Sequence, residues 1–216
     1  MDKLKCKLPS VPGINGREDY MNSAVLVLLM KMDGAYHFVF QKRNPNIRQG
    51  GEICFPGGKY DQALDRNTLE TALRETREEM GILTENINII GALDMIIAPM
   101  GAIVEPFLGI TDQVTLKDFH LNRDEVEKIF MLPFSFFKYN KPEIYKTKIK
   151  VHPSYRDENG DEVVLFPSKE LGLGENYTKP WGRSENTIYV YKTKEGVIWG
   201  LTARIIYDVV KRLDLL

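Results

Sequence analysis

An α+β fold with a mixed sheet flanked by helices is what this sequence predicts, and three observations carry the prediction. Short apolar or alternating runs, closed off by turn residues, recur along most of the 216 residues. Helical periodicity is confined to three segments. Strands and helices do not alternate regularly, as they would around a doubly wound parallel sheet. At roughly 150 residues per domain the length fits a single domain, 1–216, with its core over about 22–210 and a polar insertion around 152–186.

Taken in order, Ala24 to Met30 reads as a buried strand, Asp33-Gly34 as a turn, and Tyr36 to Phe40 as the second strand of a hairpin. Glu52 to Phe55 is a short strand running into Pro56-Gly57-Gly58. The clearest helix spans Asn67 to Met80, where Asn67 and Glu70 form a capping-box pattern and Gly81 supplies a left-handed stop. Ile87 to Leu93 and Ile103 to Ile110 follow as strands. Asn122 and Glu125 repeat the capping pattern ahead of Val126, Ile129 and Phe130, which predicts a second helix ending before Pro133. Further strands are expected at Glu143 to Val151, Glu162 to Phe166, Thr187 to Tyr191 and Gly196 to Trp199. A closing helix carries Leu201, Ile205, Ile206, Val209, Val210 and Leu213. Leu171 to Ser184 reads as a long loop, a binding lid or a disordered stretch.

Composition narrows the class. With 29 Lys and Arg against 30 Asp and Glu there is no global basic field for nucleic acid. No apolar run reaches the roughly 18–20 residues of a membrane-spanning helix, and no secretory leader is expected before Pro9. Cys6 and Cys54 cannot form a multi-bridge framework, so a reduced, cytoplasmic protein is expected. His37, His120 and His152 lack metal-ligand spacing.

The chemistry sits on the helix at Asn67 to Met80. Leu69, Ala72, Leu73, Thr76 and Met80 form its buried stripe, and Glu75, Glu78 and Glu79 fall beside it within an arc of roughly 100°. Carboxylates at these spacings repel, and they sit near the helix C-terminus, where the macrodipole disfavours negative charge. One reading is a solvated face on which Arg74 and Arg77 form intrahelical pairs. The other is that Mg²⁺ or Mn²⁺ offsets the repulsion, since both take carboxylate oxygens. Gly57 and Gly58, without side chains, let a backbone carbonyl approach a metal or an amide approach a phosphate.

The segment Arg74-Glu75-Thr76-Arg77-Glu78-Glu79-Met80-Gly81-Ile82, with Phe55-Pro56-Gly57-Gly58 upstream, resembles the Nudix box, Gly-x5-Glu-x7-Arg-Glu-U-x-Glu-Glu-x-Gly-U with U aliphatic. Thr76 replaces an aliphatic residue. The first Glu of the box is missing: counting back from Arg74 lands on Arg66, with Asp65 beside it, and the loop after Gly58 is longer than the pattern. Gln49 to Lys59, Thr71 to Glu75, Asn122-x-x-Glu125-Val126 through Pro133-Phe134-Ser135, and Ile198 to Arg204 resemble the coenzyme A pyrophosphatase branch of that family. That branch has a His where this chain has Gln49-Gly50, and a shorter polar segment.

The resemblance implies an α/β/α sandwich and hydrolysis of a diphosphate linkage, with coenzyme A or an acyl-CoA the leading substrate. Another nucleoside diphosphate derivative, such as ADP-ribose, and a non-catalytic ligand-binding module are the alternatives. It implies Mg²⁺ or Mn²⁺ held by Glu75, Glu78 and Glu79 with the Gly58 carbonyl, and Arg74 orienting a glutamate. The general base is a box glutamate or Glu105. Arg43, Arg48, Lys59 and Gly57 are the phosphate-binding candidates, with Lys42 beside them. Trp181 and Tyr177 either stack on a base or pack locally. The expected partner is a small-molecule diphosphate, with neither nucleic acid nor membrane, for a monomer or homodimer.

Overall fold

A computed structural model describes residues 9–213, so Cys6 lies outside the described part. Its strands are β1 (Met21–Met32), β2 (Ala35–Arg43), β3 (Ile53–Cys54), β4 (Gly57–Lys59), β5 (Asn88–Ala92), β6 (Ile96–Ala98), β7 (Ala102–Thr111), β8 (Val126–Pro133), β9 (Glu143–Val151), β10 (Ser154–Arg156), β11 (Glu162–Val164), β12 (Trp181–Thr193) and β13 (Gly196–Trp199). The helices are α1 (Thr68–Met80), α2 (Phe134–Tyr139) and α3 (Gly200–Leu213).

The mixed sheet has the path β3-β2-β1-β7-β5, with β4 paired to β1, β6 to β7 and β8 to β2. β1 and β7 run parallel, and the other pairs are antiparallel. Alternation along β1 sorts the core into two layers. Ala24, Leu26, Leu28 and Met30 point to the face covered by α1, where they meet Ala72, Met80 and Phe107. Val27 and Leu29 point to the opposite face, where Phe38, Phe40, Phe55 and Phe137 join Ala203, Ile206 and Val209 of α3. Helices therefore cover both faces, as the sandwich requires.

The hairpin at Asp33-Gly34 forms as expected, with positive φ at both residues. α1 is capped by Asn67, whose side chain accepts the Glu70 N–H, and is stopped by left-handed Gly81. Glu70 does not close the box on Asn67; its carboxylate accepts from Arg66 instead.

The helix expected between Asn122 and Pro133 is a strand. Asn122 organises a turn, its carbonyl accepting from the Glu125 and Val126 N–H groups. Val126 to Pro133 then pairs along β2, burying Val126, Phe130 and Leu132. The edge of β2 supplies backbone partners and an apolar face, and this overrides the helical spacing. In the polar stretch 152–186, β10 and β11 form a hairpin around the expected strand. Residues 171–180 are turns and a short 3-10 helix, as a loop would be, and β12 begins at Trp181, ahead of the expected Thr187. β9, β12 and β13 form a separate three-stranded sheet.

Candidate active site

Two strands and one helix build the site. β4 lies beside β1 in the register Val25↔Gly57, Ala24↔Gly58 and Ser23↔Lys59, so the Gly-Gly segment is a short strand and not only a turn. Gly57 is required by its close approach to β1: a Cβ there would strike the Ala24 carbonyl oxygen. A Cβ on Gly58 would instead strike the carboxyl of Glu75. The two glycines thus serve different ends, one fitting backbone to backbone and the other leaving room for a carboxylate.

On α1 the three glutamates divide. Glu75 and Glu78 both accept from Arg74 Nη1, at 2.9 Å and 3.0 Å. Glu78 is half exposed. Glu79 is only 2% exposed and turns inward, where its Oε2 accepts the Gly57 N–H at 3.0 Å and its Oε1 lies 3.9 Å from Arg43 Nη1. Burial pushes the Glu79 carboxyl up to about 7, against the pull of the Gly57 N–H, and raises Glu75 as well. The solvated charged face weighed in the sequence is therefore only partly realised, because Glu79 belongs to the interior.

Asp65 and Gln41 escaped the sequence reading. Asp65, 4% exposed, accepts Arg74 Nε and Nη2 at 2.9 Å and 3.0 Å, and also the Thr71 hydroxyl at 2.9 Å. The Arg74 hydrogen bonds hold its carboxyl below the usual range despite burial. Its position beside the missing first Glu was the available signal. Gln41 is wholly buried on β2, with Nε2 3.7 Å from the Cys54 sulfur and Oε1 without a partner. A lone polar residue ending the apolar run Phe38-Val39-Phe40 was its only mark.

Other sequence candidates scatter. Glu105 stands in one row with Ala24 and Gly58 across the sheet, about 10 Å from Gly58 at two strand spacings. Its carboxylate is engaged by Arg17 and by the Thr68 hydroxyl, at the start of α1. That corner opens into a cavity of about 540 Å³ lined by Arg17, Asn22, Tyr60, Thr68 and Glu105. Arg43 reaches Glu79 alone of the three glutamates, while Arg48 and Lys59 are exposed and Lys42 pairs with Glu127. Trp181 packs edge-on against Tyr177 at 5.5 Å and near Phe166, so these aromatics contact each other.

Among the described residues no three acidic, His or Cys side chains are gathered so as to hold an ion as they stand. The donor chemistry nevertheless fits a hard divalent cation: three carboxylates of one helix, and beside Glu75 the backbone of a glycine whose missing Cβ leaves space.

A model of the NUDIX domain matches residues 21–155, more than half of the chain. The chain belongs to the Nudix family. In this Nudix chain Thr76, at the box position usually aliphatic, is buried and donates its hydroxyl to the Ala72 carbonyl at 2.6 Å, so the polar group costs little. Nudix hydrolase 3 of Caenorhabditis elegans is 36% identical over 150 residues, 61% of this chain and 62% of that one. Peroxisomal coenzyme A diphosphatase NUDT7 of Mus musculus is 34% identical over 157 residues, 71% of this chain and 62% of that protein. Mitochondrial coenzyme A diphosphatase NUDT8 of Homo sapiens is 34% identical over 116 residues, 53% of this chain and 49% of its own. The Nudix chain thus spans between about half and three-fifths of the length of these relatives. No described helix is long and apolar enough to cross a membrane.

Proposed function

We propose that this chain is a metal-dependent diphosphatase whose substrate is coenzyme A or an acyl-CoA. The observation that carries the chemistry is the acidic face of α1, with Arg43 and the Gly57–Gly58 strand brought against it. The names of the mouse and human relatives support the substrate. Glu75, Glu78 and Glu79, with the Gly58 carbonyl, are the residues proposed to hold Mg²⁺ or Mn²⁺. Bound there, the cation would screen the diphosphate charge and lower the pKa of a water molecule.

The chain's own residues do the rest. Arg74 holds the glutamate side chains in place, and Arg43, with Arg48, Lys59 and the Gly57 amide as further candidates, meets the phosphates. Water adds its oxygen to one phosphorus, the bridging P–O bond breaks, and each half leaves with a phosphate. From coenzyme A the products are 3′,5′-ADP and 4′-phosphopantetheine. The base is proposed to be a box glutamate ahead of Glu105, because both oxygens of Glu105 are already engaged. A cytoplasmic site of action belongs to the same proposal, with the peroxisome, named for the mouse relative, the competing compartment.

A second reading keeps the chemistry and changes the substrate to another nucleoside diphosphate derivative. Gln49-Gly50 in place of the branch histidine favours it. Ranking coenzyme A, acyl-CoA, ADP-ribose and dinucleoside polyphosphates by kcat/KM separates the two. Coenzyme A or its esters lead if the first holds, and ADP-ribose or a dinucleotide in front overturns it.

A further inference from the structure

We propose that Asp65 is a positioning residue for the cation-binding carboxylates, acting through Arg74; the inference rests on the metal-site reading above. The observation is a buried acid in a surface loop. Between β4 and α1 the chain closes a turn on Asp61, whose carbonyl accepts the Leu64 and Asp65 N–H groups and whose side chain accepts the Ala63 N–H. The turn swings Leu64 outward, 68% exposed, and Asp65 inward. A loop that exposes its leucine and buries its aspartate reverses the usual hydrophobic preference, so the carboxylate must be held by specific partners.

Those partners define the role. Asp65 takes the Nε–Nη2 edge of Arg74 as a two-pronged pair, which fixes the plane and direction of the guanidinium. The Thr71 hydroxyl fixes Asp65 in turn. Only Nη1 is left to reach outward, and it meets both Glu75 and Glu78. One guanidinium therefore joins three carboxylates, two of them proposed cation ligands. Nη1 takes one oxygen of each glutamate, Glu75 Oε1 and Glu78 Oε2, and leaves the other oxygen of each for a divalent cation. Without Asp65 the guanidinium loses the pair that fixes its plane, the two carboxylates lose their common anchor, and cation binding would bear the cost of ordering them.

Direct Mn²⁺ binding to the full chain, followed by the electron paramagnetic resonance signal of free Mn²⁺, tests this without requiring turnover. Asp65→Asn places an amide against the guanidinium fork and should weaken Mn²⁺ binding about 10- to 100-fold with the circular dichroism spectrum unchanged. In an Arg74→Ala background the same change should alter affinity less than about twofold, because the route is gone. Thr71→Val, which keeps every charge, should weaken binding about 2- to 5-fold. Mn²⁺ affinity within twofold of wild type in Asp65→Asn, whatever its melting temperature, overturns the inference. So does an equal loss with Arg74 absent. If Asp65→Asn does not fold, unchanged affinity in Thr71→Val overturns it. Wild-type chain that binds no Mn²⁺ overturns this inference and the metal reading together. Normal binding without hydrolysis of any diphosphate overturns only the proposed reaction.

Discussion

The helix that carries the acidic residues and the ribbon formed by β9 and β12 differ in what holds them. Around α1, buried side chains make the connections: Asp65 to Arg74, Glu79 to the Gly57 N–H, Thr76 to Ala72. In the ribbon one end of β12 is anchored in the core, where Tyr191 packs edge-on against Phe137. Along β9, however, the backbone ladder does most of the work, and the added pairs lie in solvent, such as Lys146 with Glu185 and Lys192 with Glu143. Such exposed pairs contribute at most about 1 kcal/mol each. Nearly all of β9 is exposed. Buried polar contacts thus fix side chains where the chemistry is proposed, whereas β9 is held chiefly by its pairing with β12.

The largest effect that would break this contrast is on turnover. Glu78→Gln or Glu79→Gln should lower kcat by about a hundredfold or more while the circular dichroism spectrum stays native. Activity unchanged in both would move the chemistry off α1. Next come the paired glycines. Gly57→Ala forces backbone against backbone and should cost about 1–3 kcal/mol of stability, read as a lower melting temperature. Gly58→Ala meets only the movable end of Glu75, so its stability should fall by less than about 1 kcal/mol while turnover drops at least tenfold.

A pH effect sharpens the interior side of the comparison. Glu79 has a folded pKa near 7, raised by burial above the unfolded value of 4.5. Between those values the folded chain binds the extra proton, so stability of metal-free protein falls as pH rises from about 4.5 to about 7, by at most about 3 kcal/mol. Melts with chelator at pH 5 and pH 8 should show the drop, and Glu79→Gln should flatten it. An equal drop in the variant assigns the titration to another group. The smallest effect belongs to the insertion. Trp181→Ala loses an edge-on ring contact with Tyr177, about 0.5–1.5 kcal/mol, and should leave kcat within twofold. A loss of kcat like that of Glu78→Gln would put the ribbon in the reaction.

The same contrast sets what could be read from the sequence. The box helix was legible because its signals are local: Asn67 and Gly81 mark its ends, and 3.6-residue periodicity places Leu69, Ala72, Thr76 and Met80 on one side. Helical spacing places Glu79 with Glu75 and Glu78 beside the buried stripe but does not tell which of the three turns inward. The inward turn of Glu79 depends on the Gly57 N–H, which β1 delivers from a distant part of the chain. Asp65 stayed hidden for a related reason, because a loop of irregular length has no period to show which residue points in. Residues 122–133 carried a capping pattern that a turn satisfies as well as a helix does, and pairing with β2 decided between them.

The central claim is that the acidic face of α1 hydrolyses a diphosphate with the help of a divalent cation. Release of 3′,5′-ADP from coenzyme A, followed for wild type and Glu78→Gln with Mg²⁺ or Mn²⁺ and again with chelator, tests it most directly. The account predicts release by wild type only when the metal is present, and at least a hundredfold less from the variant. Release that persists in chelator, or that proceeds equally in Glu78→Gln, would contradict it.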